Sequence, residues 1–188
     1  MNRRDALKQV SWILGGTIIG SSIFLEYGCN PATEKAAGFF DQKTIDLLNE
    51  IAETILPQTN TPGAKEAKVG DFMNIMVQDC YTKDDQKIFK EGINTLQQKC
   101  KEVQGKEFMT CSPEERTSFL TGLDNEQKAY MEAKKAEEPS HYFRMMKELT
   151  LLGFFTSEVG ATKALRYIET PGSYDGDVPY KKGDRAWA

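Results

Sequence analysis

The sequence predicts an all-α protein, an irregular bundle of about five or six helices between an N-terminal signal segment and an extended C-terminal tail. Three observations predict this architecture. From Asp41 onward, apolar residues recur at spacings of three and four, which is typical of helices with one buried face. No stretch shows the sustained apolar-polar alternation that is typical of strands. The residues from Glu169 on are interrupted by Pro and Gly, which favour irregular structure.

Residues 1–28 are predicted to be an export signal of the twin-arginine type. A basic head precedes an apolar segment, and a small residue, Gly28, stands before the predicted processing point. The aromatic residue usual two places after the second arginine is Ala6 here. The apolar segment has about 16 residues, fewer than the roughly 20 that a bilayer span needs, although an uncut membrane anchor is the alternative. The residues predicted to engage the translocon are Arg3, Arg4, Leu7 and Lys8.

Cys29 follows Gly28 at the end of this signal and is a candidate for lipidation. A Gly-Cys pair at this place is typical of bacterial lipoproteins, but Glu26 and Tyr27 fit such a processing site only loosely. An ordinary cysteine beside a peptidase site is therefore the alternative. Residues 29–40 are predicted to form a tether, and the expected location is the periplasm or cell envelope, with or without a lipid anchor at the membrane.

The first helices of the predicted domain, residues 41–168, have clear local signals. Asp41 is a plausible N-cap, and Pro57 ends the helix that follows. Residues 58–63 have turn chemistry throughout. Further helices are predicted over residues 64–67, 71–80 and 83–103, the last of them ended by Gly105.

The second half of the domain begins at Ser112, Pro113 and Glu115, which together predict a helix start and a helix running to about Leu123. Residues 124–139 are rich in Glu, Lys and Ala, which leaves a helix open there, but they have little apolar face and are predicted to be solvated. Ser140 is predicted to cap a strongly apolar helix over residues 141–155, and another helix is predicted over 157–167. Residues 169–188 are predicted to form an irregular C-terminal arm.

Composition argues against several classes of function. The whole chain has a net charge of −4, and the signal segment carries three basic and two acidic residues, so the rest is near −5. An acidic exported domain without a basic stripe does not suit nucleic acid. The single histidine, His141, and three cysteines beyond Cys29 are too few for a typical metal site. Those cysteines, Cys80, Cys100 and Cys111, allow one disulfide and a spare, or none.

No catalytic group of residues is visible in the sequence. A dinucleotide fingerprint and a nucleophile elbow are both missing, so we expect no catalysis and no cofactor in this chain itself. The apolar run from Phe143 to Phe155 is interpreted as core, with a partner interface as the alternative. The aromatic residues of the tail suit an arm laid across another protein.

Several sequence blocks carry a family resemblance over the length of the mature chain. They are Ile55-Leu56-Pro57, Thr61-Pro62-Gly63-Ala64, Val69, Phe72-Met73, the run from Leu149 to Gly160, Tyr167 and Pro171-Gly172-Ser173-Tyr174. With the twin-arginine signal, these blocks resemble the small third-subunit family of gluconate 2-dehydrogenase. The resemblance implies a non-catalytic partner of an exported dehydrogenase that oxidises a sugar, a sugar acid or the C3 hydroxyl of a glycoside.

The resemblance also implies the partners. A large subunit would carry FAD and the chemistry, a cytochrome c subunit would often accept the electrons, and the small subunit would escort the folded flavoprotein through the twin-arginine translocon. The alternatives are a free-standing envelope lipoprotein that acts as a binding module, and an enzyme in its own right. The residues predicted to meet the large subunit are Pro57, Thr61, Pro62, Gly63, Ala64, Gly153, Phe154, Phe155, Ser157, Glu158, Gly160, Tyr174 and Trp187.

Overall fold

The computed structural model describes residues 38–170, 172–173 and 175–187. In this part of the chain five α-helices follow one another, and no strand is formed, which confirms the all-α prediction. We number them α1 to α5; their bounds are Gln42–Ile55, Val69–Cys80, Lys83–Gln104, Pro113–Ala133 and Tyr142–Phe155. A 3₁₀ turn covers Phe108–Thr110, and a π-helical turn covers Gly160–Ala164. The predicted export signal, Cys29 and most of the tether lie outside the described residues.

The core lies between all five helices, and α5 is its central element. This helix packs against each of the other four, while α1 also packs on α2 and α4. Large side chains from α1, α2, α3 and α5 are fully buried, among them Leu48, Met73, Phe89, Leu96, Phe143 and Met146. Each such side chain contributes about 1.5–3 kcal/mol by leaving water, so the bundle depends mainly on apolar burial.

The helix ends follow local chemistry where the sequence predicted it. The Asp41 carboxylate accepts a hydrogen bond from the Thr44 N–H at 3.0 Å, and Ser112 forms a capping box with Glu115. Gly105 ends α3 with a φ of 71°, a left-handed conformation that glycine adopts without steric cost. These three boundaries confirm the predictions made from the sequence.

Four predictions about individual elements were wrong. Residues 64–67 form turns rather than a helix, and α4 continues past Leu123 to Ala133. The cap of α5 is His141, whose Nδ1 accepts the Phe143 N–H at 3.2 Å, so Ser140 lies outside the helix. The helix predicted over residues 157–167 is limited to a short segment that ends in the π-helical turn.

None of the described helices is both long enough and apolar enough to cross a bilayer.

Candidate docking surface

The most apolar exposed surface on a described helix is the outer face of α5. Phe155 follows Leu152 by three residues and Leu151 by four, so its side chain neighbours both leucines on the outer surface of the helix. They are 42%, 45% and 39% exposed, although the opposite face of α5 is buried in the core. Large apolar side chains exposed next to one another are typical of a surface that another molecule covers. We call these three residues the α5 strip.

The packing beneath the α5 strip is tight because glycine replaces a side chain there. Gly153 is buried, and a Cβ on it would lie 2.6 Å from the Phe72 ring on α2. Phe154 is 4% exposed and its ring meets the Phe155 ring edge to face, with centroids 5.2 Å apart. The strip is therefore supported by a close contact between α5 and α2.

The chain leaves α5 through a compact turn around Gly160. The Ser157 hydroxyl donates to the Phe154 carbonyl oxygen at 2.6 Å and accepts the Gly160 N–H at 3.0 Å. A Cβ on Gly160 would overlap the Phe154 carbonyl oxygen, so only glycine fits this position without rearrangement. Glu158 is exposed on the outside of the turn. The turn fixes the direction in which the chain continues from the α5 strip.

The segment from Pro57 to Ala64 is held by a carboxylate from α1. Glu53 accepts the Gln58 N–H at 2.9 Å and the Lys65 N–H at 2.8 Å, so it closes the segment at both ends. A Cβ on Gly63 would overlap this carboxylate. The Ala64 N–H also donates to the Leu56 carbonyl oxygen at 3.0 Å. The segment is therefore ordered by the chain's own contacts.

An ion pair joins the turn that follows this segment to the π-helical turn. Lys163 Nζ lies 2.7 Å from Glu66 Oε1, and both side chains are about half exposed. Such a pair adds little stability. It shows, however, that the residues just after Ala64 and those of the π-helical turn, almost a hundred residues apart in the chain, are neighbours on one surface.

The C-terminal arm also returns to the π-helical turn. The Arg166 N–H donates to the Ala186 carbonyl oxygen at 2.8 Å, and its guanidinium lies 3.0 Å from the Asp184 carboxylate. The same guanidinium lies over the Trp187 ring, 5.1 Å from its centroid. Arg185 donates to the Lys163 carbonyl oxygen at 2.8 Å. The end of the arm is thus attached to this chain, while residues between the attachment points, such as Tyr180, are exposed.

The predicted interface residues therefore occupy two different environments. Gly63, Ala64, Gly153, Phe154 and Gly160 are buried in the chain's own packing, where they shape the surface from below. The surface-accessible residues are Pro57, Phe155, Glu158 and Trp187, with Thr61, Pro62 and Ser157 partly exposed. Tyr174 lies outside the described residues. That these residues meet a partner stays a prediction.

Sequence reasoning missed the residues that order this surface. Neither Glu53 nor Arg166 was singled out from the sequence. Leu151 and Leu152 were assigned to the apolar run of α5, but their periodicity could have separated them from its buried face. Glu53 and Arg166 carry no such signal, because their partners are backbone groups and residues distant in the chain.

A cleft with a mixed polar and apolar lining lies elsewhere, between α1, α4 and α5. It measures about 210 Å³ and is lined by side chains including Thr54, Thr117, Asp124 and Lys147. Burial alone would raise the pKa of Asp124, but hydrogen bonds from Lys128, Lys147 and Gln127 outweigh it and lower the pKa to about 2. The carboxylate is therefore a fixed ion-pair partner and is poorly suited to accept a proton near neutral pH.

His141 is engaged in structure as well. Burial lowers its pKa, against the opposing effect of Glu126, whose carboxylate lies 3.5 Å from Nε2. Its Nδ1 caps α5, so the ring serves as a neutral hydrogen-bond acceptor. Within the described residues, no three His, Cys, Asp or Glu side chains are grouped as metal ligands.

Comparison with known proteins gives one match. The family model described as gluconate 2-dehydrogenase subunit 3 matches residues 42–172. The matched range begins with α1 and extends beyond the π-helical turn. It therefore includes all five described helices, the Pro57–Ala64 segment and the π-helical turn. No curated protein and no solved structure matches significantly.

Proposed function

The chain belongs to the gluconate 2-dehydrogenase subunit 3 family, and from this premise we propose that it is the non-catalytic small subunit of an exported FAD-dependent dehydrogenase. Family membership gives the chain an accessory role in a larger dehydrogenase complex. The finer proposal is that it binds and stabilises the large flavoprotein subunit and escorts it across the membrane. The substrate class would be a sugar, a sugar acid or a glycoside oxidised at C3, with a cytochrome c subunit as electron acceptor in some complexes.

The observation that carries the proposal is the family match over the whole helical bundle. A subunit needs a surface for its partner, and the α5 strip supplies apolar area that the described residues leave exposed. Glu66, two residues after the Pro57–Ala64 segment, pairs with Lys163 of the π-helical turn. The segment and the turn are both fixed by hydrogen bonds within the chain, so the proposed docking surface is preorganised and loses little entropy on binding.

A free-standing binding module is supported less well. Ligand pockets usually measure roughly 300–1,000 Å³ and are mostly apolar. The cleft beside Asp124 is smaller, at about 210 Å³, and Lys147 and Asp124 already satisfy each other inside it. The outer face of α5 is a better candidate for the functional surface, because three of its large apolar side chains remain 39–45% exposed.

The proposal is tested by co-purifying the chain with the large flavoprotein of its host. We expect Leu152→Lys combined with Phe155→Lys to weaken association at least about tenfold, because each ammonium group would lose its water in the interface. The measurement is the flavin absorbance that co-elutes per mole of the small chain.

Val103→Lys is the matched control, since Val103 is an exposed apolar residue on α3, away from the strip, and 68% exposed. We expect this variant to retain the flavoprotein. Equal flavin recovery with the double variant and the control would place the docking surface elsewhere. If the wild-type chain purifies from the host with no flavoprotein at all, the accessory role in this complex is refuted.

A further inference from the structure

Two buried cysteine side chains face each other between α3 and α4. Cys100 lies near the end of α3 and is fully buried, and Cys111 follows the 3₁₀ turn and is 5% exposed. Their Sγ atoms are 3.8 Å apart. Cys80 is different, because it is exposed at the end of α2, where its Sγ contacts Met76 of the same helix.

The backbone holds these two thiols together without a covalent link. Gly105 reverses the chain after α3, and its N–H donates to the Lys101 carbonyl oxygen at 2.9 Å. The Cys111 N–H then donates to the Phe108 carbonyl oxygen at 3.2 Å. Arg116 on α4 donates to that same carbonyl oxygen at 3.1 Å. Both cysteines are therefore anchored by ordered segments, and folding itself brings their sulfur atoms into contact.

We propose that Cys100 and Cys111 are a redox-sensitive pair that forms a disulfide when the chain is in an oxidising environment. The normal S–S length is about 2.05 Å, so each sulfur would move by roughly 0.9 Å from its present position. The bond would connect the end of α3 to the residue just before α4. The segment between them already contains the reversal at Gly105 and the 3₁₀ turn. Cys80 is not part of the pair.

The chemistry is thiol–disulfide exchange with a small-molecule or protein disulfide as the oxidant. The thiolate of one cysteine attacks a sulfur of the oxidant, which releases the first oxidant thiolate and leaves a mixed disulfide. The thiolate of the other cysteine then displaces the second oxidant thiolate, and the Sγ–Sγ bond forms. The two cysteines lose two protons and two electrons, and the oxidant is reduced to two thiols.

Burial makes this exchange slow in the folded chain. Desolvation, with a contribution from the contact with Cys111, raises the pKa of Cys100 to about 12, so the reactive thiolate is scarce at neutral pH. Exchange therefore takes place while the chain folds, before the sulfurs are buried, or through local opening that exposes them. The same burial protects the disulfide once it has formed, because reductants cannot reach it.

The test is a redox titration of the full chain. The chain is unfolded in urea and refolded in glutathione buffers poised near −180 to −210 mV, the range of oxidising compartments. Fully reduced and fully oxidised chain are both used as starting material. Remaining thiols are then alkylated, and digested peptides are identified by mass spectrometry. We expect a linked peptide that joins Cys100 to Cys111 from both starting states, with Cys80 alkylated.

The thermal midpoint of the linked chain should exceed that of the reduced chain by about 5–10 °C, since closing a short ring restricts the unfolded state. Cys80→Ser is the matched control and should keep this difference. Cys111→Ala should abolish the difference in thermal midpoint between oxidising and reducing buffer. The variant should still fold, because the reduced chain folds without the covalent bond. If Cys100 and Cys111 are both alkylated in the oxidising buffer, or if either of them pairs with Cys29 or Cys80, the proposal is overturned.

Discussion

At the scale of single residues, the candidate docking surface depends on positions that have room only for glycine. Gly160 is the clearest example, because a methyl group there would overlap the Phe154 carbonyl oxygen at the end of α5. Backbone atoms cannot move aside as a flexible side chain can. Gly122, in the middle of α4, has no atom within 4 Å of where its Cβ would be. The two glycines therefore respond oppositely to the same substitution.

We expect Gly160→Ala to destabilise the chain by about 1–3 kcal/mol, the usual range for overpacking. Gly122→Ala serves as its control and should stabilise α4 by roughly 0.5–1 kcal/mol, because alanine restricts the unfolded chain and favours helix. Urea unfolding of both variants gives the free energies. A Gly160→Ala chain as stable as wild type would mean that the turn relaxes and does not depend on glycine.

Caps at the residue scale were predictable where the signal was local. Asp41, Ser112 and Gly105 were identified because each acts on backbone groups within four residues of itself. His141 was not recognised as a cap, because histidine seldom has this role and Ser140 stands directly before it. The ring is 10% exposed. Its Nδ1 accepts the Phe143 N–H and its Nε2 lies beside the Glu126 carboxylate, and the second contact is made by packing.

At the scale of elements, the 3₁₀ turn is held between α1 and α4 by a network centred on Arg116. Its guanidinium donates to the Phe108 carbonyl oxygen at 3.1 Å and to the Met109 carbonyl oxygen at 2.8 Å, and it pairs with Glu50. The ring of Phe108, which is fully buried, lies below the guanidinium at 5.4 Å. Arg116 thus gives the Phe108 carbonyl oxygen a second donor beside the Cys111 N–H, and it also donates to the Met109 carbonyl oxygen.

Arg116→Met should destabilise the chain by about 2 kcal/mol, because it leaves Glu50 and both carbonyl oxygens without this donor. The control is Lys87→Met, which removes an exposed i,i+4 pair with Glu91 and should change stability by less than about 0.5 kcal/mol. Chemical unfolding measures both. Similar losses in the two variants would show that the network contributes no more than an ordinary surface pair.

The length of α4 shows why element boundaries were harder to predict than element type. Residues beyond Leu123 have good helix propensity but only Gln127 faces the core, so the apolar pattern stopped before the helix did. Asp124 pairs with Lys128 at 2.8 Å and also contacts Lys147 on α5. The helix extends to Ala133, and its last backbone hydrogen bond runs from the Lys134 N–H to the Tyr130 carbonyl oxygen.

At the scale of the whole molecule, the C-terminal arm was predicted as an irregular segment laid across a partner. The described part of the arm is irregular and exposed, but its end is attached to the π-helical turn through Arg166 and Arg185. Trp187 is 52% exposed even with the Arg166 guanidinium over its ring. The arm can therefore present aromatic surface from a position that the bundle itself defines.

The proposed escort role predicts that export of two proteins depends on one signal. Changing Arg3 and Arg4 together to lysine keeps the charge but removes the arginine pair. We expect both this chain and its flavoprotein partner to remain in the cytoplasm, because the flavoprotein is proposed to cross the membrane only as the escorted partner of this chain. Cell fractionation with immunodetection of each protein measures this. Arg144→Lys, the same exchange at an exposed position outside the predicted signal, is the control and should leave both proteins exported.

Normal export of the flavoprotein beside the Arg3→Lys, Arg4→Lys chain would refute the escort role. The docking test on the α5 strip would remain informative in that case, because association and export are measured separately. A large subunit that binds the small chain but travels independently would still fit an accessory role, without the transport function.

The sequence by itself determined the all-α class, the starts of α1 and α4 and the end of α3, because helix periodicity and caps depend on residues within one or two turns. It also carried the family blocks, since these are short runs of adjacent residues. Only the tertiary structure decided what those residues touch. Gly153 against Phe72, Lys163 beside Glu66, and Cys100 facing Cys111 are contacts made by packing, and the partner in each lies beyond the reach of local patterns.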